Sequence, residues 1–344
     1  MKLAITGGAG FLGFHLCNML AEKFSEILII DIASVNPAEY PCNTKYFNID
    51  VRDSKSLDRI LGSADAVIHG AAALPLWKKK DIFSTNVEGT RNVLESAARN
   101  RINRTVFVSS TAVYGIPEKH PIYENDSHVG VGPYGESKIE AEKICEKYRK
   151  KGLCIPVIRP KTFIGTGRLG VFQILYDWVE SGKRIPIVGN GSNRYQLLEV
   201  EDLVNAIHMM LTLPEEKVND TFNVGAKEFG TVLEDVGALC DFAKTGARVM
   251  PVPSWIVKPL LELFWTLRIS PLYKWVYATA DRDSFVSIKK AEEMLGWIPR
   301  YSNAESLIRS YGHYLEHRPV TAEPGITHRK AWKQGILALF KRFL

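Results

Sequence analysis

The chain predicts an α/β protein, a doubly wound parallel sheet with a smaller, mostly helical C-terminal substrate lobe. Three observations predict it. Short β-rich runs alternate with stretches long enough for crossover helices, the pattern of a sheet covered on both faces. A glycine-rich loop, TGGAGFLG, joins the first run to the first of those stretches, and an acid closes the second run.

The first run is KLAIT (2–6). The loop after it sets Gly7, Gly10 and Gly13 between strand and helix. A dinucleotide needs a tight turn there, close backbone approach to its pyrophosphate, and free amides, those of Phe11 and Leu12 among them, at the helix N-terminus. The second run, ILIID (27–31), ends in Asp31, 18 residues past Gly13, where a carboxylate accepts hydrogen bonds from an adenosine ribose diol. That carboxylate repels a 2′-phosphate and no Arg or Lys follows it closely, so NAD is favoured over NADP. Asp50 and Val51, in FNIDVRD, close another strand-like stretch; they either meet the adenine or form a surface turn.

Three further runs are AVIHG (66–70), TVFVSS (105–110) and CIPVIRP (154–160). The fourth run in the series ends in a hydroxyl cluster, Ser109, Ser110 and Thr111. Downstream, PYGESK supplies Tyr134 and Lys138, an i, i+4 pair sharing one helix face. A tyrosine is a poor base at neutral pH, but a neighbouring ammonium and a cationic nicotinamide both favour its phenolate. A serine that holds the substrate oxygen while Tyr134 moves its proton completes a hydride-transfer site.

After Pro160 the pattern becomes less regular. Residues 1–165 read as the NAD-binding Rossmann-type domain, with 194–226 returning to it; 166–193 and 227–317 read as the substrate lobe, and 318–344 as a linker and tail. The composition, 46% hydrophobic and 24% charged, is that of a globular protein, and charges cut every apolar run before it could span a bilayer. No leader precedes the glycine motif, so a cytoplasmic location is expected. Five scattered cysteines without a CxxC pair indicate neither a disulfide framework nor a zinc site. The formal charge of +6 lies mostly in the last 27 residues, which argues against a nucleic-acid enzyme.

The motifs TGGAGFLG, VIHGAA, NVEGTRNVLESA, VSSTAVYG, YGESK, IRPKTFIGTG, EVEDLVNAI, FNVG and KKAEEMLGW, in this order, resemble an extended short-chain dehydrogenase/reductase of the NAD-dependent epimerase/dehydratase family over residues 1 to about 317. The resemblance implies Ser110 as the catalytic hydroxyl, Tyr134 as acid/base and Lys138 on the nicotinamide ribose. It further implies Ala71 and Ala72 lining the cofactor cleft, Asn86 supporting the active-site helix, and Arg159 with Pro160 beginning a segment that closes over the nicotinamide. His69 reads as a packed strand-end residue. A homodimer formed through helices, common in the family, stays open.

The substrate is read from side chains of the second half. Dehydratases of the family carry an acidic pair after the catalytic hydroxyl, whereas Thr111 and Ala112 follow Ser110. At the position where sugar-nucleotide epimerases hold a diphosphate-gripping arginine stands Tyr195, with Arg194 displaced by one; GNGSNRYQLLEVEDLV looks closer to the 3β-hydroxysteroid dehydrogenase branch. Arg282 remains a candidate for a diphosphate, and Thr111, Arg194, Tyr195 and Arg282 form the expected substrate set. The run 253–278 reads as strongly apolar helices, either lobe core or an apolar substrate channel.

The tail bears on this choice. Written as a helix, Trp332, Ile336, Leu339, Phe340 and Phe343 form one apolar stripe, with Arg329, Lys330, Lys333, Lys341 and Arg342 around it. Such a helix over 327–344 suits an anionic membrane surface, or it docks on its own or a partner subunit. The expectation is therefore an NAD-dependent dehydrogenase or ketoreductase acting on a lipid or sterol-like alcohol, peripheral on the inner face of the membrane. A cytoplasmic UDP-sugar 4-epimerase using the same Tyr134 is the alternative.

Overall fold

The computed structural model describes residues 1–75, 77–266, 277, 279–317 and 341, with Trp265 described by its backbone alone. The central sheet contains β1 (Lys2–Thr6), β2 (Glu26–Asp31), β3 (Thr44–Asn48), β4 (Ala66–His69), β5 (Arg104–Val108) and β6 (Val157–Pro160). After three short strands, β7 (Thr162–Ile164), β8 (Arg184–Val188) and β9 (Leu197–Glu199), the chain returns to this sheet with β10 (Thr221–Val224) and then forms β11 (Arg248–Val252). The order β10-β6-β5-β4-β1-β2-β3 is parallel throughout.

Leu3, Ala4 and Ile5 of β1 are all fully buried because helices cover both faces. On one face, Leu12 and Leu16 of α1 (Phe11–Leu20) share a core with Leu203, Ile207 and Met210 of α7 (Val200–Thr212). On the other lie α2 (Ser54–Leu61), α4 (Gly89–Arg99) and α5 (Gly132–Arg149), through Leu57, Val93 and Ile144. Between α3 (Lys79–Phe83) and α4 the helix widens into a π-helical segment, Ser84–Glu88. Because β1 has β2 on one side and β4 on the other, the chain leaves β1 and β4 in opposite directions, and a crevice opens at their carboxyl ends.

The second lobe pairs β8 with β11 and packs α6 (Val171–Glu180), α9 (Val232–Ala243) and, at its far end, Leu307 and Tyr311 around Tyr176 and Trp178. A short helix α8 (Glu215–Val218) precedes β10; α10 (Ser254–Thr266), α11 (Lys289–Leu295) and α12 (Asn303–Glu316) follow β11. The apolar run is divided in character. Leu261 and Tyr277 are buried, as lobe core requires, whereas Trp255 is 77% exposed; residues 267–276 lie outside the described set.

The tail expected over 327–344 also lies outside the described residues, Lys341 excepted. The Nζ of Lys341 donates to the Asp177 carboxylate on α6, so this basic residue faces the protein's own lobe. No helix among the described residues is long and apolar enough to cross a membrane.

Candidate active site

The crevice is a cavity of about 550 Å³ running from Asp31, past the first turn of α1, to Tyr134 and on to Phe172 and Leu307 of the second lobe. Its cofactor end is built by glycine. Gly7 adopts φ +76°, and a Cβ there would lie 2.7 Å from the Ala71 nitrogen; a Cβ on Gly13 would lie 2.4 Å from the Gly7 carbonyl oxygen. Only hydrogen fits either place. Gly10 caps α1 without any side-chain hydrogen bond, which leaves the first-turn amides for an anion.

At the rim, the Asp31 carboxylate accepts from the backbone N–H groups of Ala9 (3.0 Å) and Ala33 (2.9 Å). Burial raises its pKa and these bonds oppose the rise. Asp50, Val51, Ala71 and Ala72 line the same end. Asp50 is held by Arg52 at 2.6 Å, whose hydrogen bond keeps its carboxyl below the usual range. The groove has an amide-lined helix end and a carboxylate at the close of β2, features that fit NAD.

The reacting end is built where β5 stops at Val108. Ser110 turns the chain there, its hydroxyl accepting from the Ala112 N–H at 3.1 Å. Burial pushes the Tyr134 phenol up to about 12, with the nearby Ser110 hydroxyl opposing the rise. One turn along α5, Lys138 is 3% exposed; its Nζ donates to the Val108 carbonyl at 2.8 Å and sits 4.9 Å from the Phe107 ring centre and 5.9 Å from that of Tyr134. Burial brings the ammonium down to about 8, with Glu142 opposing. Asn86 stands behind this helix in the π-helical segment. Its Nδ2 donates to Ser137 (2.9 Å) and its Oδ1 accepts from Ala73 N–H (2.8 Å), locking α5 to the cleft floor. Asn86 is thus a positioning residue.

The sequence profile of the NAD dependent epimerase/dehydratase family matches residues 3–225. The chain belongs to this family. A protein of Sinorhizobium fredii named y4nG is 34% identical over 339 residues, covering 97% of this chain and 84% of that one. A UDP-glucose 4-epimerase of Halalkalibacterium halodurans is 26% identical over 346 residues, covering 93% of this chain and 97% of the relative. Among solved structures, Thermotoga maritima UDP-glucose 4-epimerase with UDP-glucose has a TM-score of 0.77 at 24% identity, over 92% of this chain and 99% of that one. The complex of Thermus thermophilus UDP-glucose 4-epimerase with NAD has a TM-score of 0.74 at 23% identity, with the same coverage. The protein is an NAD-dependent enzyme of the epimerase/dehydratase family.

Within this family member, four residues of the expected site stand outside the cleft: Asn86, behind α5, and three arginines. Neighbouring residues of a strand face opposite ways, so Pro160 lines the cleft while Arg159 turns inward to a buried ion pair with Glu142. It also donates to the Tyr114 hydroxyl (2.6 Å) and the Glu124 carbonyl (2.9 Å), which keeps its side chain out of the cleft. Arg194 is exposed, its guanidinium 4.5 Å from the Phe229 ring centre and 5.0 Å from that of Phe285. Arg282 is exposed, and its carbonyl accepts from Asn193. Thr111 and Tyr195 do line the cleft, as do two cations the sequence reading overlooked, Lys161 and Arg168.

His69 is structural, as expected. Its ring nitrogens meet Thr6 (2.7 Å) and Thr90 (3.0 Å), and burial brings it down to about 3, so it stays neutral.

Proposed function

We propose that the enzyme is a nucleotide-sugar 4-epimerase. The observation that carries the chemistry is the Ser110–Tyr134–Lys138 arrangement at the reacting end of a dinucleotide cleft. The substrate class is supported by similarity to the Halalkalibacterium halodurans UDP-glucose 4-epimerase over nearly the full length of both chains. Arg168, a cation lining the cleft, agrees with an anionic substrate.

Ser110 holds the substrate hydroxyl, and Tyr134, as phenolate, takes its proton. Bound NAD supplies the acceptor for the hydride that leaves the same carbon and the donor that returns it. Tyr134 then gives the proton back to the carbonyl oxygen; a hydride delivered to the opposite face would leave the carbon inverted without net redox change. Lys138 keeps a positive charge beside the phenolate throughout.

The test is interconversion of UDP-glucose and UDP-galactose by the NAD-loaded enzyme, followed with the Tyr134→Phe variant as control. Epimer formation without net change in nicotinamide absorbance, lost in the variant, is expected. Absence of any epimer from a panel of nucleotide sugars overturns the reading.

A second reading, a dehydrogenase of an apolar secondary alcohol such as a lipid or sterol-like compound, is favoured by one observation. Leu169, Phe172, Leu175, Val236 and Leu307 give the far wall an apolar character, while Arg194 and Arg282 stay outside. It predicts net change in nicotinamide absorbance with a detergent-dispersed lipid extract. Membrane attachment through 327–344 belongs to this reading alone; loss of liposome sedimentation on deleting that segment tests it.

A further inference from the structure

Lys161 has no task in the mechanism above, yet it lines the cleft while being only 4% exposed. It follows β6 directly. Its backbone N–H donates to the Val224 carbonyl at 2.9 Å, and the Thr111 hydroxyl donates to the carbonyl of the preceding Pro160 at 3.3 Å. These bonds tie Lys161 to the residue beside Ser110, at the reacting end and away from the adenosine end marked by Asp31.

Its Nζ donates to the Ser284 hydroxyl at 2.6 Å and lies 5.0 Å from the Tyr195 ring centre. An ammonium carries three donors. Among the described residues no carboxylate pairs with this one, and burial alone brings it down to about 7. A buried cation without a counter-charge is destabilising, because burial strips it of hydration that no partner replaces. Such a group in a core would be replaced at little loss by methionine, but this one faces the space where substrate binds. The neighbouring hydroxyls of Thr162 and Tyr195, 3.0 Å apart, add polar groups on the same wall.

We propose that Lys161 receives a carboxylate carried by the substrate close to its reacting carbon, so that the preferred nucleotide sugar is an acidic, uronate-type one. This rests on the nucleotide-sugar reading and narrows it. The incoming carboxylate supplies the missing counter-charge and holds the lysine protonated, and the apolar wall keeps water from competing for the pair.

The experiment is calorimetric binding of UDP-glucuronate and UDP-glucose to NAD-loaded Tyr134→Phe protein, alone and with Lys161→Met or Lys161→Gln added. UDP-glucuronate is expected to bind at least about tenfold more tightly than UDP-glucose. Both lysine variants erase that preference and leave UDP-glucose affinity within about threefold. Equal binding of the two sugars, or a preference that survives either substitution, overturns the inference and leaves the nucleotide-sugar reading standing. Binding of neither sugar overturns both. The comparison in the Tyr134→Phe background needs no lysine variant to fold.

Discussion

The ammonium of Lys138 donates to the main-chain carbonyl of Val108 at 2.8 Å, which fastens α5 to the end of β5. One bond thereby sets both the place and the charge beside Tyr134. Burial holds the phenol near 12 and the ammonium near 8, so the resting pair keeps its proton on the tyrosine. A positive charge brought alongside favours the phenolate, which couples cofactor binding to base formation.

Tyr134→Phe is therefore expected to lower turnover about 10²–10⁴-fold, the usual contribution of a positioned acid/base, while NAD binding stays within a few-fold. In the proposed mechanism the ammonium serves both the tyrosine and the nicotinamide ribose, so Lys138→Met is expected to reduce both. Turnover and NAD titration of the two variants separate the roles. A Tyr134→Phe enzyme with undiminished turnover would remove the tyrosine from the mechanism.

At the other end of the cleft, Asp31 is held by two backbone amides and cannot turn away from a ligand without losing them. Replacement by Ala removes the acceptor for the ribose diol and the repulsion toward a 2′-phosphate together. NAD affinity should fall by about tenfold or more and NADP affinity should fall less or rise. Parallel titrations check this, and equal losses for both dinucleotides would contradict the assignment.

Much of this site was legible because its signals are local. TGGAGFLG declares a turn whose Cβ positions are filled by backbone, and the i, i+4 spacing of Tyr134 and Lys138 on α5 is fixed by helix geometry. Arg159 was misplaced because its partner, Glu142, lies on another element 17 residues away, and no neighbouring residue reveals which face of β6 meets the cleft. Lys161 is similar: whether a lysine after a strand is solvated or buried depends on Ser284, 123 residues on. The four-residue β10 gains its place at the sheet edge only through pairing with β6 across a long excursion.

The buried lysine also has a stability signature. Its ordinary value of 10.5 falls to about 7 in the folded protein. Between those two pH values the unfolded chain binds a proton that the folded chain lacks, so the lysine's contribution makes stability rise with pH in that window. Below about 7 both states are protonated and the folded protein bears the full burial cost. Lys161→Met should accordingly be more stable than wild type at pH 6, by several degrees in Tm (about 2–4 °C per kcal/mol relieved), and the advantage should shrink toward pH 10. Paired melts at the two pH values cancel the other titrating groups. A difference that does not vary with pH would show that the lysine titrates as a solvated one.

The pair behind the site is held differently. Arg159 and Glu142 have side chains 4% and 10% exposed, and Glu142 also accepts from the hydroxyl of Ser109, next to Ser110. Replacing Glu142 by Gln leaves a buried guanidinium without its counter-charge, which is expected to cost about 3–5 kcal/mol. Removing both charges, as Glu142→Gln with Arg159→Met, should cost distinctly less than the sum of the single changes, because no isolated charge remains. Urea unfolding of the wild type, the two single variants and the double variant measures the coupling. Strict additivity would mean that each side chain is satisfied by its other partners, Tyr114 and Glu124 for the arginine and Ser109 for the glutamate, and that the ion pair itself does not hold α5 against β6.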